Sequence, residues 1–191
     1  EMRESTVAPD VISYNAAISA CGNDGQWILA LTRLREMRHR LVLPDVVTYS
    51  AAISACEKGG QWQWALAQLC EMRLRKLAPA TIAYSAAISA CATGGQWLFA
   101  LASMRNMRRD EVAPDVICYS AAISACGKGG QWQWALVQLR DMRRQQLAPD
   151  VGSCSAVIRA CGKGGQWQWA LAQWREMRMQ KLAPELISYC A

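Results

Sequence analysis

The sequence predicts an all-α solenoid of stacked helix-turn-helix repeats, and three observations predict it. Proline recurs at Pro9, Pro44, Pro79, Pro114, Pro149 and Pro184, always 35 residues apart. The block ISAC stands at 18–21, 53–56, 88–91 and 123–126, with IRAC at 158–161. GQW stands at 25–27, 60–62, 95–97, 130–132 and 165–167, and no insertion breaks the step. A period in this range belongs to a small supersecondary unit that buries its apolar face only by stacking on its neighbours.

Five complete units follow: 11–45, 46–80, 81–115, 116–150 and 151–185. Residues 1–10 match the tail of a preceding copy and 186–191 the head of a following one, as expected of a single array cut from a longer one. Each unit divides in the same way. In 46–80, Pro44 breaks the chain and Asp45 is placed to cap a first helix over Val46–Lys58. Its apolar stripe is Tyr49, Ala52, Ile53 and Cys56; Val47, Ser50, Ser54 and Glu57 lie opposite. Gly59-Gly60 ends it, because glycine tolerates a left-handed cap. A second helix from Gln61 to about Lys76 carries Trp62, Ala65, Leu66, Leu69 and Met72 on one stripe. LAP at 77–79 turns into the next unit. Ala51, Ala52 and Ala55 are small enough to let neighbouring helices approach closely.

Composition narrows the chemistry. The chain has 191 residues, 52% hydrophobic, and a net charge of +6. This mild basic excess permits a nucleic-acid partner without demanding one. No run of about 18 apolar residues is present, so no membrane-crossing helix is expected. No signal or transit segment is visible. Of the nine cysteines, five are one position copied (Cys21, Cys56, Cys91, Cys126, Cys161), and copies about 8–10 Å apart cannot form disulfides. With Cys70, Cys118, Cys154 and Cys190 they are expected to be buried, reduced thiols. No metal site or other cofactor is expected: His39 is the only histidine and no CxxC spacing occurs. An enzyme is disfavoured, since GKGGQ lacks the Lys-Ser ending of a phosphate loop and the acidic residues recur once per unit instead of converging.

The run PDVVTYSAAISACEKGGQWQWALAQLCEM, residues 44–72, closely resembles the pentatricopeptide repeat, and the 35-residue step extends that resemblance along the whole chain. Tetratricopeptide repeats step by 34 and set their W, L, G and Y differently. The resemblance implies a right-handed superhelix and sequence-specific binding of single-stranded RNA, one base per repeat, a code read by two or three side chains. It implies work in a chloroplast or mitochondrion, in RNA processing or stability. It assigns base-wedging to the second residue of each unit, here Ile12, Val47, Ile82 and Ile117. That gives a reason for a branched apolar residue such as Val47 on an otherwise polar face. Base-reading falls to the fifth and last residues: Asn15 with Asp45, Ser50 with Ala80, Ser85 with Asp115, Ser120 with Asp150, and Ser155 with Glu185. The family's pairings imply U at the first place and G at the third and fourth, and leave the second and fifth open. Gly152 cannot wedge and Arg159 replaces a serine, so base selection by the fifth unit is expected to be weak or altered.

Structural roles compete with these. The aspartates are natural N-caps, compatible with base contact. Trp27, Trp62, Trp97, Trp132 and Trp167 are expected in the core. Trp64, Trp134 and Trp169 lie beside that stripe and could meet another protein, which makes a protein-interaction scaffold the alternative function. Lys58, Lys128 and Lys163 are placed to contact phosphate. Arg38, Arg73, Arg108, Arg143 and Arg178 are expected to complement the dipole at the ends of second helices.

Overall fold

A computed structural model describes residues 9–179, which hold ten α-helices and no strand. The chain divides into two compact units, Glu1–Pro79 and Ala80–Ala191. In the first, α1 (Val11–Asn23) and α2 (Trp27–His39) form one hairpin, and α3 (Val46–Lys58) and α4 (Trp62–Leu74) a second. α1 lies along α3, and α2 also touches α3. In the second unit, α5 (Thr81–Thr93), α6 (Trp97–Arg109), α7 (Val116–Lys128), α8 (Trp132–Arg144), α9 (Val151–Lys163) and α10 (Trp167–Met179) repeat the arrangement. There α7 packs between α5 and α9, with each hairpin's second helix laid on its first.

The helices begin and end for local reasons. Asp10, Asp45, Asp115 and Asp150 each accept a bond from the backbone N–H three residues on, at 2.7–2.9 Å. At Asp45 the Thr48 hydroxyl completes a capping box by accepting the Asp45 N–H at 3.1 Å. First helices end in a Schellman pair: Gly60 N–H reaches Glu57 O at 2.9 Å and Gln61 N–H reaches Cys56 O at 2.8 Å. The left-handed residue is the second glycine of the pair; Gly60 has φ +68° and Gly59 φ −78°. Second helices close with the same bonds but without glycine, and Leu41, Lys76, Glu111 and Gln146 take φ of 58–59°. Each of these departs from a residue type's ordinary backbone preference, and α4 accordingly stops at Leu74, short of the expected Lys76.

The core follows the first-helix stripe. Tyr49, Ala52, Ile53 and Cys56 are fully buried, as are Ala65 and Met72 opposite. Small residues set the spacing: a Cβ on Gly22 would lie 3.1 Å from Ala55 Cβ, and one on Gly127 2.7 Å from the Ala156 carbonyl oxygen. The tryptophans that open second helices are not core residues, contrary to expectation. Trp27, Trp62, Trp97 and Trp132 are half-buried and Trp167 is 64% exposed. Trp27, Trp97 and Trp132 instead lie across the junction onto the loop glycine of the following hairpin, where a Cβ at Gly59, Gly129 or Gly164 would meet the indole at 2.3–2.6 Å. The glycine before the left-handed one is therefore required by a neighbour's ring, not by its own φ.

The late arginines also do more than face a helix dipole. Arg38 Nη2 donates to Glu71 Oε2 at 2.7 Å and to Tyr49 Oη at 3.2 Å, tying α2 to the next hairpin. Arg108 does the same with Asp141 and Tyr119, and Arg143 pairs with Glu176 at 2.8 Å. Six of the cysteines, Cys56, Cys91, Cys118, Cys126, Cys154 and Cys161, are buried thiols; Cys21 is half-buried and Cys70 exposed, which departs from the expectation for those two. Glu185, Cys190 and the partial copy 186–191 lie outside the described residues.

Candidate nucleic-acid interface

The first turn of each first helix points its second residue outward. In the first unit Ile12 is 76% and Val47 57% exposed; in the second, Ile82 is 65% and Ile117 60% exposed. A β-branched side chain at the second residue of the helix turns away from the second helix, because the stripe that faces that helix begins two residues later at Tyr14, Tyr49, Tyr84 and Tyr119. Gly152 holds the same place in α9.

The polar pairs beside these residues differ in how closely they are joined. Asn15 Nδ2 donates to Asp45 Oδ1 at 3.3 Å, while the single Thr48 hydroxyl proton is shared between Asn15 Oδ1 at 2.6 Å and Asp45 Oδ1 at 2.8 Å. Ser120 Oγ donates to Asp150 Oδ1 at 3.4 Å and lies 2.7 Å from Ser153 Oγ. Here the fifth residue of one copy and the cap of the next helix form one polar cluster. Ser85 turns its hydroxyl back onto Ile82 O at 3.0 Å, and Asp115 is engaged with the Cys118 N–H. Ser50 donates to Val46 O at 2.7 Å within the first unit, and Ala80 opens the second. Ser155 is 6% exposed, more enclosed than its counterparts, though it still lines the groove.

The charge state of Asp45 follows from its neighbours. Burial pushes its carboxyl up, but the Thr48 N–H and hydroxyl and the Asn15 amide outweigh that and hold it below its ordinary 3.8. It therefore stays an acceptor at neutral pH, with hydrogen bonds arriving from both sides.

In the second unit these positions border an open groove of about 550 Å³. Ile117, Ser120, Ser124 and Lys128 of α7 line it, with Asp150, Gly152, Ser155 and Arg159 at and in α9. The candidate phosphate lysines already have partners. Lys58 Nζ donates to Asn23 Oδ1 at 3.0 Å, Lys128 Nζ to Thr93 O at 3.4 Å and Lys163 Nζ to Lys128 O at 3.1 Å. Lys128 and Lys163 thereby reach the last carbonyl of the preceding first helix, a favourable place for a cation. An ammonium has three donors, so one such bond leaves two for another acceptor.

Apolar residues also meet solvent on the second helices. Trp64, Trp134 and Trp169 are exposed, and the Trp27 and Trp64 rings lie 6.4 Å apart in the first unit. Among the described residues no three His, Cys, Asp or Glu side chains gather to hold a metal ion, and no helix is long and apolar enough to cross a membrane.

Comparison with known proteins adds to this geometry. The PPR repeat family matches residues 9–58, the pentatricopeptide repeat domain residues 137–191, and the single PPR repeat residues 47–77 and 117–147. No curated protein sequence matches. The crystal structure of the pentatricopeptide repeat protein PPR10 from maize is 28% identical, over 96% of this chain and 26% of that one, with a TM-score of 0.70. PPR10 in complex with an 18-nt psaJ RNA element is 26% identical over 95% of this chain and 27% of that one, with a TM-score of 0.78. The PPR domain of Arabidopsis thaliana protein-only RNase P 1, in complex with tRNA, shares the fold with a TM-score of 0.81 at 13% identity, covering 94% of each chain. This chain thus spans about a quarter of the maize protein's length.

Proposed function

Because the chain belongs to the pentatricopeptide repeat family, we propose that it binds single-stranded RNA along the face of its first helices, one base per repeat, without catalysing a reaction itself. The observation that carries this reading is the row of exposed branched residues, Ile12 and Val47 in one unit and Ile82 and Ile117 in the other, each three residues before a polar side chain. An aliphatic branch can pack on the face of a base without regard to its identity, and a hydroxyl or amide can donate to and accept from its edge. The maize protein in complex with its RNA element supports the ligand class. The repeats are taken as 11–45, 46–80, 81–115, 116–150 and 151–185, and the work as RNA processing or stability in a chloroplast or mitochondrion, on the strength of the family resemblance.

Selection of bound sequences from a random single-stranded RNA pool tests it. The expected yield is a short motif with U and, two places on, two successive G. Asp115→Asn preserves an N-cap but exchanges a carboxylate oxygen for an amide donor; it should move preference at the third place from G toward A with little loss of stability. Recovery of random sequence, or better binding to the matching duplex, would overturn the reading.

A second reading, a protein-docking scaffold, draws on apolar clefts between second helices. One of about 590 Å³ lies between α2 and α4, lined by Trp27, Ile28, Leu31 and Trp64. Its counterpart between α6 and α8 is lined by Trp97, Leu98, Leu101 and Trp134. If RNA binding is the function, Trp64→Ser and Trp134→Ser leave RNA affinity unchanged.

A further inference from the structure

The fifth copy of the motif departs from the other four at two places that face one groove. Its second residue is Gly152, where Ile12, Val47, Ile82 and Ile117 stand in the others. Its ninth is Arg159, where the others have Ser19, Ser54, Ser89 and Ser124. Both line the groove over α7 and α9, with Lys128 on the α7 side.

The glycine is not required by packing. It is exposed, and a Cβ there would meet nothing nearer than Asp150 Oδ1 at 3.7 Å. The missing side chain is a missing wedge and nothing else. Arg159 is half-buried, and its Nε is enclosed without a hydrogen-bond partner among the described residues. Arg38 and Arg143 share such an enclosed Nε but spend their outer nitrogens on Glu71 and Glu176; the outer nitrogens of Arg159 have no such carboxylate among the described residues, a costly state for a guanidinium. Asp150, the one carboxylate lining the groove among the described residues, does not take it; that carboxylate accepts the Ser153 N–H at 2.7 Å and the Ser120 hydroxyl at 3.4 Å. Lys128 brings a second cation, tied by one bond at 3.4 Å to Thr93 O. Among the described residues the groove therefore holds two cations against one committed carboxylate, at the place where a flat base has no wedge to rest on.

We propose that Arg159 and Lys128 grip a phosphodiester of the bound strand in this groove, so that the fifth repeat anchors the backbone instead of selecting a base. This rests on the RNA-binding reading above. A guanidinium suits the task because its planar fork can present two donors to two phosphate oxygens, which serine at the same place cannot do. An anchor of this kind carries no sequence information and depends on salt.

The test uses the whole chain and an RNA carrying its selected motif. Arg159→Ser installs the residue of the other four copies, and a matched thermal melt shows whether the fold is kept. The expected result is a five- to tenfold loss of affinity at 0.1 M salt for every base at the fifth place. The slope of log K against log salt should fall by up to about 0.7, the value of one phosphate contact to a single strand, since Lys128 still holds part of it. Arg159→Lys should keep the slope. An abasic nucleotide opposite the fifth repeat should cost the native chain little, while one opposite the fourth weakens it. Gly152→Ile, which restores the wedge, should make the fifth abasic site costly. If the native chain binds RNA and Arg159→Ser leaves affinity and slope unchanged, or weakens one base alone, the phosphate anchor is overturned and the RNA-binding reading stands. If the native chain binds no single strand, both fall.

Discussion

α3 and α9 are the same helix of the motif, one in each unit, and they are filled differently. In α3, Tyr49 is fully buried, and its hydroxyl joins Arg38 and Glu71 at 3.2 Å each. In α9 the equivalent residue is Cys154, also buried, and the partner helix carries Trp174 where α4 carries Leu69. Trp174 packs against the cluster of Cys154, Ile158 and Met177. Volume lost from the first helix has been supplied by the second. The ion pair that the tyrosine would have joined persists without it, Arg143 to Glu176 at 2.8 Å against Arg38 to Glu71 at 2.7 Å. Close packing constrains the sum across a helix pair more tightly than either member.

The largest difference between the two units should appear in alkali. Burial pushes the thiols of Cys91, Cys118 and Cys126 up to about 12 and Cys154 to about 11, and raises Cys161, all in the second unit. In the first, Cys56 rises to about 12 from the ordinary 9.0. A raised folded pKa means the unfolded chain releases its protons first. The stability these thiols lend is whole below pH 9 and drains away as pH climbs from 9 toward 11–12. At about 1.4 kcal/mol per pH unit and thiol, moving to pH 10 should cost the second unit on the order of 5 kcal/mol and the first about 1. Alkylation in rising urea, read by mass spectrometry, checks this. At pH 10 Cys91, Cys118 and Cys126 should become labelled at lower urea than Cys56. Simultaneous labelling would mean that the units share one unfolding transition.

The exchange of volume between helices gives the next effect in size. Tyr49→Cys leaves a cavity that nothing fills and should cost about 3 kcal/mol by urea unfolding. Cys154→Tyr should cost about 2 kcal/mol by crowding Trp174, and Trp174→Leu should return most of it. The coupling between those two changes is expected to exceed about 1 kcal/mol. Strict additivity would sever the link between positions 154 and 174 and with it the comparison.

What the repeat discloses in advance is whatever one copy does within itself. Pro44 and Asp45 located the start of α3, the stripe from Tyr49 to Cys56 located its buried face, and Val47 stood out as apolar on the wrong side. What one copy does to the next was hidden. Trp27 covering Gly59, Arg38 reaching Glu71 and Lys58 reaching Asn23 are contacts between copies. A strict period makes each partner look like every other residue of its column, so no spacing distinguishes a residue that faces its own hairpin from one that faces its neighbour. The left-handed turns at Leu41 and Lys76 were hidden for another reason: no glycine announces them. At the site itself, the resemblance supplies the reading columns, but the enclosure of the Arg159 Nε arises from packing around α9 and leaves no mark in the sequence.

The smallest effect concerns the caps, and it separates α3 from α5 instead of α9. Asp45 caps α3, whereas the residue at the same place before α5 is Ala80, which offers no side-chain cap. Net hydrogen bonding holds the Asp45 carboxyl below its ordinary 3.8 despite burial, so the unfolded chain takes up the proton first as pH falls. The cap's contribution is whole above about pH 4 and is lost as pH drops through the folded value. Ala80→Asp should add about 1 kcal/mol at pH 7, the ordinary worth of such a cap, and Asp45→Asn should cost less than that. Urea melts at pH 7 and pH 3 discriminate the mechanism. A carboxylate cap predicts that the gain from Ala80→Asp shrinks in acid and that Asp45→Asn flattens the acid limb. A gain at residue 80 undiminished at pH 3 would mean that aspartate acts there through the turn it favours, and that charge at the helix N-terminus contributes nothing measurable.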